Sequence, residues 1–458
     1  MAATDKIEKV QPLLVRLEKN KNDYFPQAVS FGPYHHGEPA LAFVEAFKPK
    51  AVELFVSGGP ERYDESSFYL DKIADIIDEI RECYEETTMR DYSDDELAAM
   101  MLRDASLMII FMESATGGAQ MMGKILNHLG MLTLAILWRD LVLLQNQIPL
   151  VVVEVLMDLR YGKGKREYEN LLHRYVNMVN FGDYNRQQRL LSRKPLHLVE
   201  AIHMLLVFDC KDQSPTCCKL LCCPRADHDL ERGGAEATHS HGIIHRLLKS
   251  LASKNQGAAA AKKDKFKNLK SMFHSFRSVT ELKAKGIHFK PSPTQSLMDV
   301  SFKSNFFYGS LQLPEWVVTT KTKVIFTNLI AYELSPNSRT NLEVVSYISF
   351  MKSLMERPED VKELREKRIF INLLGTDQEV FNTYKDIDTH GVSNPILFNA
   401  VKDNIQAHYN SSVKTWMAEL IHTNFRSPWT MTAFLAAVTL LAISAAQLYY
   451  AVHPPTED

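Results

Sequence analysis

This 458-residue chain lacks a surplus of either charge: 53 Lys and Arg stand against 55 Asp and Glu, a formal net charge of −2. A dedicated nucleic-acid binder needs a basic surplus to neutralise phosphates, so no nucleic-acid partner is expected. Cysteine is scarce, six in all, and cannot be the main staple of a core this large. Glycine and proline, 19 each, are too few for a collagen-like or linker-dominated chain. The N-terminus carries Asp5, Lys6, Glu8 and Lys9 where a secretory signal would have its apolar core. Walker loops, GxGxxG after a strand, GxSxG and kinase signatures are missing too. What remains is 45% hydrophobic and 24% charged. That is an ordinary folded chain, long enough for two or three domains or one large domain with an appendage.

Long apolar runs are also rare, and the one near the C-terminus stands out. No charged residue lies between Arg426 and His453, and residues 429–452 would form a helix of about 36 Å, enough to cross a bilayer core. Trp429 at one end and Tyr449 and Tyr450 at the other sit where interfacial aromatics belong. A single transmembrane tail anchor in contact with lipid is expected. Lys414, His422 and Arg426 precede it and two acids follow, so the bulk of the chain is expected in the cytosol. Asn410-Ser411-Ser412, a glycosylation acceptor, is the one dissenting feature, usable only on a lumenal or extracellular side. Ala433/Ala437 and Ala442/Ala446 are small-residue pairs that suit homo-oligomer formation through the span. The apolar stretch 131–157 is interrupted by Arg139, Asp140 and Glu154, and its uncharged piece 141–153 fits a buried core helix ending or kinking near Pro149.

Periodicity predicts a mainly α fold with one small antiparallel sheet, an α+β class. Residues 1–210 read as the helical first part of one large domain. Helical spacing covers 40–57, broken at Pro49, and an acidic stretch 61–96 with 14 Asp/Glu against four bases. Next come 97–114, entered through the capping signature at Ser93–Glu96, and then 120–160, 168–181 and 195–208. Residues 211–279 break character and read as a variable, partly disordered insertion. Residues 280–425 complete the domain. Strands are expected within 285–293, 296–304, 306–316 and 323–333. Helices follow at 342–355, 361–373, 378–384 and 401–421, and residues 453–458 are a short tail.

Candidate chemistry is thin. His35 and His36, on a turn between Pro33 and Gly37, are the most enzyme-like pair, but no HExxH or paired carboxylate accompanies them. A turn whose imidazoles bond backbone groups is the competing reading, and no metal or other cofactor is assigned. Cys217, Cys218, Cys222 and Cys223 admit three readings: S-acylation beside a basic stretch, a loose zinc knuckle, or ordinary reduced thiols. Residues 245–290 hold 12 Lys or Arg against Asp264 and Glu281. Within them Lys262, Lys263, Lys265, Phe266, Lys267, Lys270, Phe273 and Phe276 suit contact with anionic lipid or a partner groove, or a solvated basic loop. Asp140, Gln145, Asn146 and Gln147 sit in an apolar helical stretch, with Asp140, Asn146 and Gln147 read as off a common line, which favours a buried hydrogen-bond network over a catalytic set.

Several strings together carry a family resemblance. They include Val29-Ser-Phe-Gly-Pro-Tyr-His-His-Gly37, Asp140-Leu-Val-Leu-Leu-Gln-Asn-Gln-Ile-Pro149 and Pro195-Leu-His-Leu198. Further on stand Thr280–Gly286, Phe326–Glu333, Pro358–Val361 and Ser427-Pro-Trp429 entering the apolar span. With these the chain resembles the plant domain-of-unknown-function 247 family over nearly its full length. The resemblance implies a plant protein with one C-terminal span. It points to recognition or signalling, as in grass members similar to pollen self-incompatibility determinants, and to an unidentified protein partner. An enzyme using His35 and His36, or a structural membrane-associated protein, are the alternatives.

Overall fold

The computed structural model describes residues 6–16, 22–59, 66–162, 166–179, 193–208, 277–305, 308–411 and 428–452. Short helices come first: α1 (Pro12–Val15), a 3-10 turn at Pro39–Leu41, α2 (Ala42–Glu45), α3 (Lys48–Val56), α4 (Ser66–Ala74), α5 (Ile77–Glu82) and α6 (Glu86–Met89). Pro49 falls in the first turn of α3, where its missing N–H costs no helical bond, so the expected break lies just before it.

The N-terminal half is organised round α7 (Asp94–Ala115). Ser93 Oγ accepts from Glu96 N at 3.3 Å while Ser93 N donates to the Glu96 carboxylate at 2.9 Å, the reciprocal cap that the sequence announces. Its apolar residues recur on all sides, so α7 is surrounded: α3, α4, α8 (Ala119–Asp140), α9 (Leu150–Tyr161) and α10 (Glu167–Val179) all pack on it. By length and composition α8 is apolar enough to span a membrane. It is not one rod, because Gly130 at φ 73°, ψ 162° breaks it into two pieces of about 15 Å each.

α11 (Leu198–Val207) joins this half to the next by packing on α10, α13 (Thr322–Glu333) and α14 (Glu343–Leu354). After α12 (Val279–Ala284) come β1 (Ile287–Pro291), β2 (Ser301–Ser304), β3 (Gly309–Leu313) and β4 (Trp316–Val318). α15 (Pro358–Glu366), β5 (Phe370–Asn372), α16 (Asp377–Asp386), α17 (Asn399–Tyr409) and α18 (Pro428–Val452) complete the order. A single apolar core runs from Ile7 to Ile405 through both halves.

The sheet departs from the expected antiparallel form. Its order is β1-β3-β2, with β1 parallel to β3 and only β2 antiparallel to it; a second, parallel pair joins β4 to β5. The parallel pair β4–β5 needs a long crossover, which α13, α14 and α15 supply. The run 323–333, expected as a strand, is helix α13. Ten of its 12 residues are buried, and a helix buried all round has the same β-branched, continuously apolar look as an interior strand. The helix expected over 361–373 ends at Glu366, and residues 370–372 are β5.

Candidate functional site

Residues 27–37 cross the interior without regular structure, so their backbone groups must find side-chain partners. The amides of Gln27, Ala28 and Val29 all donate to Asp140 Oδ2, at 2.9, 2.7 and 3.2 Å. Asn146 then stands in for a neighbouring strand: its Oδ1 accepts from Phe31 N at 2.8 Å and its Nδ2 donates to Val29 O at 3.1 Å. Gly32 N donates to Asp104 Oδ2 at 2.7 Å. The other Asp104 oxygen lies 2.6 Å from Lys48 Nζ, which also donates to Ser30 O at 2.7 Å. Burial pushes both the Asp104 and Asp140 carboxyls up, against the opposing pull of Lys48 on one and of the three amides on the other. Gly32 is doubly constrained: its φ is +76°, and a Cβ would stand 2.5 Å from Gln147 O and 2.8 Å from the Tyr84 hydroxyl.

Asp140, Gln145, Asn146 and Gln147 were expected on one helix; Asp140 is the last residue of α8, and the other three lie beyond it in irregular chain. α8 ends at Asp140, and residues 141–149 turn through the core to Pro149, which N-caps α9. Gln147 Nε2 donates to Leu141 O and Leu143 O, both at 2.8 Å, closing the turn on itself, and Gln147 Oε1 accepts from Val199 N at 3.3 Å. Gln145 Oε1 accepts from Val10 N at 3.4 Å, and Asn328 Oδ1 of α13 accepts from Leu144 N at 2.9 Å. A buried loop so interlaced is the hydrogen-bond network that the sequence suggested, built without the helix.

His35 and His36 do not form one site. The His35 ring is buried edge-on to Phe25, with Nδ1 at 2.6 Å from Glu38 Oε1. His36 is exposed and its ring leans on Tyr92. Around them Pro33 O accepts from the Tyr92 hydroxyl at 3.2 Å, the Tyr34 hydroxyl donates to Ile7 O at 2.6 Å, and Gly37 turns at φ +79°. The turn therefore ties three chain segments together by its backbone and flanking rings.

Two polar clusters went unremarked in the sequence, although His197, Tyr332 and Glu333 lie inside strings quoted for the family. In the first, Glu200 accepts from Leu196 N at 2.6 Å and from the Tyr332 hydroxyl at 2.9 Å, and pairs with Arg193. Burial would raise the Glu200 carboxyl, but His197, the Leu196 amide, Arg193 and Tyr332 outweigh it and hold the group low. His197 N-caps α11 through Nδ1, which accepts from Glu200 N at 3.2 Å, and burial lowers its pKa to about 4. With that lone pair engaged, His197 is unsuited to act as a base. The adjoining cavity is about 20 Å³, room for a single water.

In the second cluster His203 Nε2 lies 2.7 Å from Glu333 Oε1 and 3.9 Å from Glu343 Oε2, a grouping that could hold a metal ion. The chemistry argues otherwise. Glu333 accepts from Val344 N at 2.7 Å and Val345 N at 2.9 Å, so its carboxylate caps the N-terminus of α14. The positive end of that helix disfavours a cation there. A wider cleft of about 610 Å³ opens between α3, α4 and α7, lined by Val52, Val56, Leu70 and Leu102 with Glu53 and Arg103 among them.

The four cysteines at 217–223, the basic positions from Lys262 to Phe276, and the side chains of Trp429 and Tyr450 lie outside the described residues. Tyr449 is exposed on α18.

These features define a class: an α-rich, single-core protein whose buried polar groups are spent on holding irregular backbone. The chain belongs to the plant family of proteins of unknown function, DUF247, matched over residues 7–443. It is 25% identical over 446 residues to UPF0481 protein At3g47200 of Arabidopsis thaliana, covering 94% of this chain and 83% of that one. A second UPF0481 protein of Arabidopsis thaliana, At3g02645, is 21% identical over 484 residues, covering 93% of this chain and 87% of its own length. No solved structure matches significantly.

Proposed function

We propose that this protein is a membrane-tethered recognition or signalling component that binds a protein partner, with α18 as its single span and the bulk of the chain in the cytosol. The observation carrying the reading is α18: 25 residues without a charge, about 37 Å long, whose apolar side chains Leu440, Leu441 and Leu448 are 65–71% exposed. Exposed leucines at that density are costly in water and comfortable in hydrocarbon. The buried titratable groups support binding over catalysis, because they are committed to caps and backbone amides. A tether raises the encounter rate with other membrane proteins through effective concentration, without any new contact. Self-incompatibility or developmental signalling is the biological setting that the grass resemblance suggests.

Protease protection of intact membranes tests this, with epitope tags at Met1 and after Asp458. The expected result is digestion of the first tag and survival of the second. Protection of the bulk, or glycosylation at Asn410, reverses the orientation and makes cell-surface recognition the function. Release of the whole chain by alkaline carbonate extraction overturns the tether.

A further inference from the structure

We propose that the kink of α8 is a second membrane contact, an apolar apex that rests in the headgroup–acyl boundary of the bilayer to which α18 tethers the chain. The inference builds on that tether and adds an orientation to it. At the break, Met131 is 69% and Leu132 75% exposed, side by side beside Gly130. Packing against α7 and the core buries Ile125, Leu129, Leu134 and Leu137 and half-covers Met121, Met122, Leu126 and Trp138, so the exposed large apolar side chains of this helix are the two at the break, Met131 and Leu132.

Three observations select lipid as the occupant. From Glu113 to Asp140 the chain has no intervening acid, and Lys124 is exposed on the same helix. An apolar helix with a lysine and no acid before its last residue is what an anionic leaflet accepts, whereas residues 71–79, with Asp71 on α4, Asp75 in the link and Asp78 and Glu79 on α5, are repelled by it. Near the end of α8, Lys321 Nζ lies 4.0 Å from the Trp138 ring centroid, adding a cation to an aromatic of the kind found at interfaces. The third is reach. α17 ends at Tyr409 and α18 begins at Pro428, and the 18 residues between them span at most about 60 Å. A domain of this length is itself only about 55 Å across, so the bilayer lies within reach of every face and the least charged, most apolar one is selected.

The test uses the full chain reconstituted through α18 into vesicles of phosphatidylcholine with about one-third phosphatidylserine. A benzophenone side chain is placed at position 132, or at the 81%-exposed position 396 as a control, and adducts are identified by mass. Lipid adducts at 132 should exceed those at 396 by roughly tenfold, and M131D with a benzophenone at the exposed position 135 should lose them. Equal lipid yields at 132 and 396, or an adduct to a second copy or to another segment of the chain, overturn the proposal. Carbonate extraction separates the failures. If α18 resists extraction while position 132 gives no lipid adduct, only the second contact falls; if α18 is released, the tether and this inference fall together.

Discussion

His197 shows how one buried ring can set a pH limit. Its pKa is about 4 in the fold against 6.5 when unfolded, because burial penalises the imidazolium and Nδ1 is already accepting from Glu200 N. Between those values the unfolded chain binds the extra proton, so the stability is present above pH 6.5 and lost as pH falls toward 4. The difference is on the order of 3 kcal/mol. His197→Asn keeps an N-cap acceptor and removes the titration. Urea denaturation of this variant should show a shallower loss of stability from pH 6.5 to 4 than the parent. An unchanged slope would assign the effect to another group. His288, lowered by partial burial and by Lys367, Lys290 and Lys283, leaves some residual slope. Gly32→Ala should cost roughly 2–4 kcal/mol at any pH, since it combines a left-handed φ with a clash against the Gln147 carbonyl. Tyr84→Phe in the same background would recover little, because the backbone oxygen remains 2.5 Å away.

Helix caps separate what a sequence displays from what it hides. The Ser93–Glu96 box is local, so its spacing alone locates the start of α7. The cap of α14 is not local. Its N-cap residue, Leu342, has φ 62° and no side-chain acceptor, and the acceptor comes from Glu333 on the preceding helix. Ser93→Ala, at an exposed cap, should cost about 1 kcal/mol. Glu333→Gln should cost at least twice that, because it removes a buried charged acceptor shared by two amides and His203. Equal losses in chemical denaturation would mean that α14 is held by packing alone. The same divide explains the rest of the fold. Amphipathic α10 was legible because neighbours in sequence determine it, whereas Pro149, read as the place where a helix ends or kinks, instead N-caps the start of α9. Helix α13 was not, since near-complete burial erases the period that distinguishes helix from strand. Nor was the irregular course of 141–149, where Gln147 satisfies carbonyls that a helix would have satisfied itself. Asp140, Asn146 and Gln147 were recognisable as a buried network from their apolar surroundings. Their partners in residues 27–32 are more than 100 positions away for Asp140 and Asn146, beyond any periodicity.

At the scale of the molecule, the question is whether α18 belongs to the fold or only to its address. The apolar core closes on itself before the C-terminal helix: its members and the partly buried residues packed against it run from Ile7 to Tyr409, and none of the described residues of α18 is among them. Contacts of an element with the core are what its removal would forfeit, and the described residues of α18 make none there. A chain ending at residue 427 should therefore keep its unfolding free energy within about 1 kcal/mol of the full chain in detergent, measured by urea denaturation followed through its buried Trp316. It should also leave the membrane fraction. The two readouts divide the alternatives. If the truncated chain unfolds or aggregates, α18 packs onto the domain and its exposed leucines are a docking face for the protein itself. If it is stable and still sediments with membranes, the apex at Met131 and Leu132 binds lipid strongly enough without the tether. If it is stable and soluble, α18 carries the binding and the apex orients a domain already held at the surface, which is the division of labour expected when a weak interfacial contact gains its effect from a nearby anchor.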